Sequence, residues 1–414
     1  MKLIEGARLI DGTGGPPVAD AAVLVNDQGR IEAVGARESV ASPPGTEVIS
    51  ASGMTLLPGL IDCHDHLSSF TYDLMSRWRL TEPASLRNLR IAKVAEETLL
   101  TGYTTIRDCG WLDAGFKMAV EEGLFPGPRL LVATMPMSPT HGHADRSSGS
   151  GHSQPAFPDP LLPRGIADGP DQVRAKVREL VRVGADFIKV FQTGFGRPVH
   201  KSKDLAYGRD ELDALVGEAL IHGKKVASHA VGGPGLRMSI EAGVDTIEHG
   251  SYLNRDPDLL NMMAGEGVFF VPTFTVFNFH RTSGNPTAQA ETRDFRQDHV
   301  ESMQQALTAG VKVVAGTDAG GWVHGNNAEE LECLVAAGMT PMQALVAATG
   351  WAAECCGLEK EVGTVERGKL ADLVVVDGDP LLDITILQDK SSIKLVMKEG
   401  KTYSNRLASP PTLI

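Results

Sequence analysis

The stretch Thr55-Leu56-Leu57-Pro58-Gly59-Leu60-Ile61-Asp62-Cys63-His64-Asp65-His66 is a short apolar run that ends in polar and ionisable residues. Runs of this kind recur along the middle of the chain, and amphipathic segments with helical periodicity separate them, for example at residues 171–183 and 209–222. The seven further runs are residues 104–106, 129–133, 187–190, 225–228, 246–248, 268–271 and 312–315.

These eight candidate strands follow one another about every 36 residues, which is close to what a barrel of roughly 250 residues requires. We therefore predict an α/β fold whose main part is a (β/α)₈ TIM barrel. A doubly wound open sheet is the structural alternative. It offers no single rim on which all the polar strand ends could meet.

Both ends of the chain have a different pattern. Residues 3–34 and 371–397 contain short strand-like stretches separated by turns such as Asp27-Gln28-Gly29 and Lys398-Glu399-Gly400. Chain termini often lie close together in space. We predict that residues 1–56 and 361–414 form one small β-sandwich domain, and that residues 57–360 form the barrel.

Composition and charge restrict the kind of partner. The 414 residues carry a formal net charge of −13, which argues against a grip on the nucleic-acid backbone. We expect no membrane contact and no signal peptide, because no apolar run approaches a membrane span. The five cysteines include no C-x-x-C pair, which favours free thiols and a cytoplasmic location. The expected partners are a small-molecule substrate and further copies of the same chain, as a homo-oligomer.

Ionisable or metal-ligating side chains stand at the predicted carboxyl ends of five strands. Active sites of the barrel fold are built on that rim. In His64-Asp65-His66 the histidines are two residues apart, so alternation along a strand puts both imidazoles on one face. The complete set is His64, His66, Lys189, His229, His249 and Asp318.

Each member of this set has a simple structural explanation when it is taken alone. A strand histidine is often a hydrogen-bonded core residue, and Asp318 could cap the next helix. Four histidines and one aspartate at strand ends are much harder to explain together without a shared ligand. Nitrogen and oxygen donors of this kind suit zinc, with manganese or iron as alternatives. The sequence therefore predicts a divalent metal site.

Lys189 lies inside an apolar run, where an unpaired ammonium group is costly to bury. One interpretation is an ion pair with Asp318 or Glu248. The other is that the neutral amine reacts with carbon dioxide, and that the resulting carbamate bridges two metal ions. The spacing of the residues alone leaves both interpretations open.

Four motifs resemble the amidohydrolase superfamily, and the similarity covers essentially the whole chain. They are residues 57–66, Ile247-Glu248-His249-Gly250, Ala315-Gly316-Thr317-Asp318 and the closing stretch 363–375. The lysine in Phe187-Ile188-Lys189 is similar to that of the binuclear branch, which includes Xaa-Arg/Lys dipeptidases, prolidase-like, imidazolonepropionase-like and ochratoxinase-type enzymes, and phenylurea hydrolases. The resemblance implies two divalent metal ions, one held by His64, His66, Lys189 and Asp318, the other by carboxylated Lys189, His229 and His249.

The resemblance also implies a mechanism. A hydroxide that bridges the metals would attack an amide-type C–N bond of a dipeptide or N-acyl amino acid, with Asp318 as the proton shuttle. His143, in a loop that resembles the His-Gly-Asp-like loop of the dipeptidase branch, would act at the site by reaching the carbonyl or carboxylate of the substrate. An exposed loop histidine without a role is the alternative for His143.

Substrate contacts are the least constrained part of the prediction. Val231 follows His229 where dipeptidase relatives often have a polar residue, and Arg197 and His324 are candidate partners for an anionic group. The long, aperiodic segment 135–170 is expected to lie over the barrel mouth. Hydrolysis of a xenobiotic carbamate, aryl urea or aryl amide is the alternative function. A lyase or isomerase, or a noncatalytic relative of the fold, would be a different class.

Overall fold

The computed structural model describes residues 1–69, 83–145, 163–194, 204–282 and 286–407, and it shows a mixed α/β fold. Its strands are β1 (Lys2–Leu9), β2 (Val18–Val25), β3 (Ile31–Ala36), β4 (Glu47–Ser50), β5 (Thr55–Pro58), β6 (Leu60–Asp65), β7 (Tyr103–Asp108), β8 (Arg129–Val132), β9 (Ile188–Phe191), β10 (Val226–Ala230), β11 (Thr246–His249), β12 (Phe269–Val271), β13 (Leu373–Val376), β14 (Ile393–Lys398) and β15 (Lys401–Asn405).

The described α-helices lie mostly between the strands of the middle region. They are α1 (Ala84–Leu100), α2 (Ala114–Glu121), α3 (Pro170–Arg182), α4 (Arg209–Ile221), α5 (Gly233–Glu241), α6 (Pro257–Glu266), α7 (Phe274–Thr282), α8 (Pro286–Thr308), α9 (Glu329–Ala336), α10 (Pro341–Ala347) and α11 (Gly350–Cys355). None of these helices is both long enough and apolar enough to cross a membrane.

Strands from both ends of the chain share one eight-stranded sheet, in the order β15-β14-β13-β5-β1-β2-β3, with β4 also paired to β1. The two ends meet where β13 runs antiparallel to β5, so that Leu373 lies opposite Pro58 and Val376 opposite Thr55. Apolar side chains of both ends, including Ile4, Leu56 and Val375, form one buried cluster. Strands of the two terminal regions thus share one sheet, while the domain bounds and the division into two sandwich layers stay predictions.

The middle of the chain forms two parallel sheets, β6-β7-β8 and β9-β10-β11-β12. Every residue of β6, β7, β9, β11 and β12 is buried. Strands that are buried on both faces do not alternate between polar and apolar residues, which explains the sequence pattern of these five strands.

Hydrogen bonds connect these two sheets at both edges. Met137 forms a parallel bridge with Val190 of β9, beyond the end of β8. On the other side, Phe270 of β12 forms a parallel bridge with Val313, and the amide of Cys63 in β6 donates to the carbonyl of Ala315. The predicted eighth strand, residues 312–315, is therefore present as a connecting segment with bridge hydrogen bonds.

Candidate metal centre

The predicted site residues of β6 and of the loop after residue 315 are brought together. The rings of His64 and His66 lie 5.3 Å apart, and His66 Nε2 is 3.2 Å from Asp318 Oδ1. His64 Nε2 is 3.7 Å from the same oxygen. The amide of Asp318 donates to the His64 carbonyl at 2.6 Å, so the backbone itself ties this loop to β6.

The histidines of β10 and β11 complete the cluster. The His249 ring is 5.0 Å from that of His64 and 4.4 Å from that of His229. His249 has a φ of 73° and Asp318 a φ of 54°, values in the left-handed region that non-glycine residues rarely adopt. Such strain costs about 1–3 kcal/mol per residue and is concentrated at functional sites.

Lys189 of β9 is fully buried, and its Nζ lies 3.4 Å from His64 Nε2. Within the described part of the chain, no carboxylate lies within ion-pair distance of this ammonium group, so the pairing with Asp318 or Glu248 is not present. The side chain instead enters the histidine cluster, and its Nζ also lies 5.7 Å from the centre of the Phe191 ring.

Three of the histidines are held by a hydrogen bond at the same ring atom, Nδ1. His64 Nδ1 contacts Glu248 Oε2 at 2.6 Å, and His66 Nδ1 donates to the Gly110 carbonyl at 3.2 Å. His249 Nδ1 contacts Thr273 Oγ1 at 2.8 Å, and that hydroxyl donates to the Pro272 carbonyl, so it accepts from the histidine.

Each of these rings therefore carries its proton on Nδ1 and leaves the Nε2 lone pair for a ligand. The Nε2 lone pairs of His64 and His66 face the Asp318 carboxylate.

The ionisation of the cluster favours cation binding. Burial is the main cause that lowers the pKa values of His64 and His229 well below their usual range, and it lowers the pKa of His249 to about 3. These rings are neutral at pH 7. Burial raises the pKa of Asp318, but the contact with His66 and the proximity of His64 and His249 lower it by more, so that the pKa is below the usual range and the group is an anion.

His64, His249 and Asp318 offer donor atoms that all lie within 4.8 Å of one another, a group that can hold a metal ion. Neutral imidazole nitrogens with a carboxylate are the donors that zinc and related divalent ions prefer. A second group, His64, Cys109 and Glu248, is equally close and fully buried. There, Arg107 donates to Glu248 Oε1 at 2.7 Å, so the carboxylate already has a cationic partner and the group does not fit a metal ion.

His143 lies beside the cluster, as the sequence predicted for the loop after β8. Its ring stacks on Phe191 at 4.4 Å and is 4.8 Å from the His229 ring, although the residue is exposed. Gly194 makes this position accessible, because a Cβ atom there would lie 2.9 Å from His143 Nδ1. Residues 146–162 of the long loop lie outside the described chain.

Val231, His324 and Arg197 are the other predicted substrate contacts, and the structure describes the first two. Val231 is buried directly after β10, two residues beyond His229, and its amide donates to Thr193 Oγ1 at 3.0 Å. His324 is also buried, its Nε2 lies 2.7 Å from the Ser69 carbonyl, and burial lowers its pKa to about 4. A neutral, buried ring is poorly suited to bind an anion. Arg197 lies outside the described residues.

The buried charged residues that form hydrogen bonds with His64, or with each other beside it, were not predicted from the sequence. Glu248 and Arg107 are buried in β11 and β7 and connect to His64, while Asp62 accepts hydrogen bonds from the His64 amide at 2.9 Å and from Thr317 Oγ1 at 2.6 Å. Charged residues inside strands that are otherwise apolar, as in Thr246-Ile247-Glu248-His249, were the available signal.

Comparisons with known proteins find relatives in sequence and in structure. The model of the amidohydrolase family matches residues 55–403. Ochratoxinase of Aspergillus niger is 30% identical over 425 residues, which covers 97% of this chain and 86% of that protein. Its crystal structure superposes with a TM-score of 0.85 at 30% identity, covering 98% of this chain and 95% of the other.

Two further solved structures are similar over nearly their whole length. A Xaa-Pro dipeptidase with methionine bound in its active site gives a TM-score of 0.86 at 29% identity and covers 98% of this chain and 100% of the other. A prolidase complexed with N-methylphosphonate-L-proline gives a TM-score of 0.88 at 30% identity, covering 98% and 99%.

Proposed function

Because this chain belongs to the amidohydrolase family and is a hydrolase that acts on amide C–N bonds, we propose that dipeptides or N-acyl amino acids are its substrates. Two divalent metal ions, with zinc preferred over manganese or iron, are the proposed cofactors. The observation that carries this proposal is the close approach of the six predicted donors, which are His64, His66, Lys189, His229, His249 and Asp318.

Lys189 is the proposed bridging ligand, as a carbamate. Its ammonium form would place an unpaired positive charge 3.4 Å from the lone pair of His64, in the space that a metal ion needs. Reaction of the neutral amine with carbon dioxide releases a proton and gives a carbamate anion, which replaces the buried cation with two oxygen donors. This change removes the cost of burying a lone cation, and it supplies negative charge to balance two metal cations.

The chain's own residues then perform the proton transfers. When bound, the metal ions would supply a hydroxide at neutral pH and polarise the substrate carbonyl. Asp318 is an anion at pH 7 and projects into the cluster, so it is placed to take the proton of the attacking water and deliver it to the leaving amine. His143, on the exposed side of His229, is placed to contact the carbonyl or carboxylate of the substrate.

An aryl amide, carbamate or urea substrate is the second candidate. The specific observation that favours it is an aromatic side chain beside the cluster, because the Phe191 ring lies 5.0 Å from that of His229. The 30% identity to ochratoxinase over 97% of the chain also supports this choice. A noncatalytic role is less well supported, because a binding protein has no need for the complete donor set.

We also propose that the two parallel sheets and residues 312–319 close into a (β/α)₈ barrel of residues 57–360. The terminal regions 1–56 and 361–414 would form the small β-sandwich domain. The bridges Met137 to Val190 and Phe270 to Val313, together with the hydrogen bond from Cys63 to Ala315, support closure because they join the sheets at both edges.

The test is a substrate screen combined with a variant of the bridging lysine. Protein prepared with zinc and bicarbonate is assayed against dipeptides, N-acyl amino acids and aryl amides, and its metal content is measured. We expect about two metal ions per chain and hydrolysis of at least one of the first two classes. The Lys189→Ala variant should lose metal and activity together and recover partly with short-chain carboxylic acids.

The matched control is Lys398→Ala. Lys398 is likewise buried, but its Nζ donates to the Gly127 carbonyl far from the cluster. This variant should keep its metal and gain nothing from added acids. A metal-replete and active Lys189→Ala protein would show that the lysine has only a structural role, and hydrolysis of aryl amides alone would select the second candidate function.

A further inference from the structure

The carboxylate of Glu248 contacts a metal-site histidine on the side that faces away from the proposed metals. Its Oε2 lies 2.6 Å from His64 Nδ1, and its Oε1 accepts from Arg107 Nη2 at 2.7 Å and from the Thr246 hydroxyl. All of these side chains are buried, with Glu248 at 0% and Arg107 at 4% exposure. The contacts form one chain, from Arg107 through Glu248 to His64.

From this geometry we infer that Glu248, itself held by Arg107, is a positioning residue that keeps the proton of His64 on Nδ1 and so presents the Nε2 lone pair to the metal. The inference rests on the proposed metal site. It gives Glu248 a role in metal affinity. A core ion pair that only stabilises the fold would have no such role.

The charge of the acceptor distinguishes His64 from the other histidines. His66 donates to the Gly110 carbonyl and His249 to the Thr273 hydroxyl, both of which are neutral. Among these three rings of the described chain, only His64 has a carboxylate as the partner of its Nδ1. A carboxylate partner makes an imidazole a stronger electron-pair donor and fixes its orientation more firmly than a neutral acceptor does.

His64 also has the central position in the cluster. Its Nε2 is the atom that lies near both Lys189 Nζ and Asp318 Oδ1, at 3.4 and 3.7 Å. If the ring turned or changed tautomer, a hydrogen would replace the lone pair at this point. The other His64 tautomer would therefore block the point where the donor atoms of Lys189 and Asp318 approach His64.

Arg107 makes the arrangement stable in a buried environment. A buried carboxylate that faces only a neutral imidazole would be strongly penalised, and it could take the proton of the imidazole or become protonated itself. The guanidinium group supplies the compensating charge at Oε1, and its Nη1 also reaches the Thr246 hydroxyl at 3.3 Å. Glu248 can thus remain an acceptor toward His64.

The first test measures metal affinity, with no substrate present. Glu248→Gln keeps the shape, but the amide has one oxygen in place of two, so either His64 or the pair of donors Arg107 and Thr246 meets an N–H. We expect the dissociation constant for zinc, measured by competition with a chromophoric chelator, to rise about 10–100-fold. Failure of the proposed function would appear in the substrate screen, and it would leave this measurement unaffected.

A matched control separates positioning from general stability. Asp372 is a second buried carboxylate that pairs with an arginine, accepting from Arg129 Nη1 at 2.8 Å in the terminal sheet. Asp372→Asn should lower the free energy of unfolding while leaving the zinc dissociation constant unchanged. Equal weakening of zinc binding by both variants, or unchanged binding in Glu248→Gln, would overturn the inference.

A second measurement needs no variant and decides the question even if Glu248→Gln does not fold. Selective ¹⁵N labelling of histidine in the metal-free protein reports the tautomer of each ring by NMR, and His64→Asn identifies the His64 signals. We expect the Nδ1–H tautomer for His64 in the parent protein at pH 7. An Nε2–H tautomer would overturn the inference.

Discussion

Asp318 combines two roles that one substitution can separate. Its carboxylate is a donor in the cluster, and it is the anion placed to accept a proton. Asp318→Asn keeps the shape and one oxygen donor but cannot take up a proton. We expect kcat to fall by roughly 10²–10⁴-fold with KM little changed, in steady-state assays on protein whose metal content equals that of the parent.

Metal analysis of each preparation is the control for this prediction, because a variant that merely lost metal would also be slow. An asparagine variant with full metal content and a parental kcat would remove Asp318 from the proton transfers.

His143 lies on the exposed side of the cluster, stacked on Phe191. If it contacts the substrate, His143→Ala removes one hydrogen bond to a charged or polarised group. We expect kcat/KM to fall by a factor equivalent to about 1.5–3 kcal/mol with bound metal unchanged. His141→Ala, in the same loop, is the matched control and should have a much smaller effect. Equal kcat/KM values for the two variants and the parent would make His143 a bystander.

The residues that gather at the cluster were predictable because each stands at the end of an apolar run. The role of Glu248 was not, since a residue inside a strand gives no sign of which neighbouring strand it faces. His324 shows the opposite limit. The sequence made it a candidate partner for an anionic group, but the ring is buried and its Nε2 contacts the Ser69 carbonyl at 2.7 Å.

At the level of elements, helix α7 supports the site from one side. It begins beside Glu330, whose carboxylate accepts from the amides of Phe274 and Thr275 at 2.9 and 2.8 Å. This fixes the position of Phe277, whose ring lies 5.7 Å from that of His249. From helix α8, His299 stacks on Phe274 at 4.3 Å.

The packing of α8 against α7 gives a prediction about pH. Burial lowers the pKa of His299 from 6.5 to about 3 in the folded protein. As the pH falls below 6.5, the unfolded chain takes up a proton that the folded chain cannot bind. The free energy of unfolding therefore loses about 1.4 kcal/mol per pH unit from this residue until the pH approaches 3.

The measurement compares the parent with His299→Gln, in the metal-free state, by urea unfolding. Glutamine does not titrate, so the stability of the parent relative to the variant should decrease by about 2 kcal/mol between pH 6.5 and 5.0. The same comparison between pH 7.5 and 8.5 is the control and should show no change. A constant difference at all of these values would mean that His299 is accessible to protons in the folded state.

The elements themselves were mostly predictable, for a physical reason. Most central strands are buried on both faces, so they appear in the sequence as largely apolar runs, and β7 to β12 fall where such runs occur. The eighth run was predicted as a strand, whereas residues 312–315 make only bridge hydrogen bonds. The apolar residues of a segment indicate that it is buried. They do not indicate how many hydrogen bonds it forms with a neighbouring strand.

At the scale of the whole molecule, side chains tie the terminal sheet to the central sheets. Arg129, at the start of β8, donates to Asp372 at 2.8 Å and to Glu399 at 2.6 Å, both in the terminal region. Lys398 of β14 reaches the Gly127 carbonyl at 2.8 Å. These contacts lie at the side of the central sheets where β8 begins, whereas the metal cluster lies where the strands end, so the terminal sheet can support the fold without entering the site.

The pairing of β5 with β13 also has a consequence for biosynthesis. The Thr55 hydroxyl donates to the Gly378 carbonyl, 323 residues further along the chain. A ribosome that adds about 5–20 residues per second needs roughly 15 s to 1 min to cover that distance. Throughout this time β5 leaves the ribosome without its partner, and its open edge can pair with another chain or be held by a chaperone. The rate of translation therefore sets how long the edge of β5 in each nascent chain is open to aggregation.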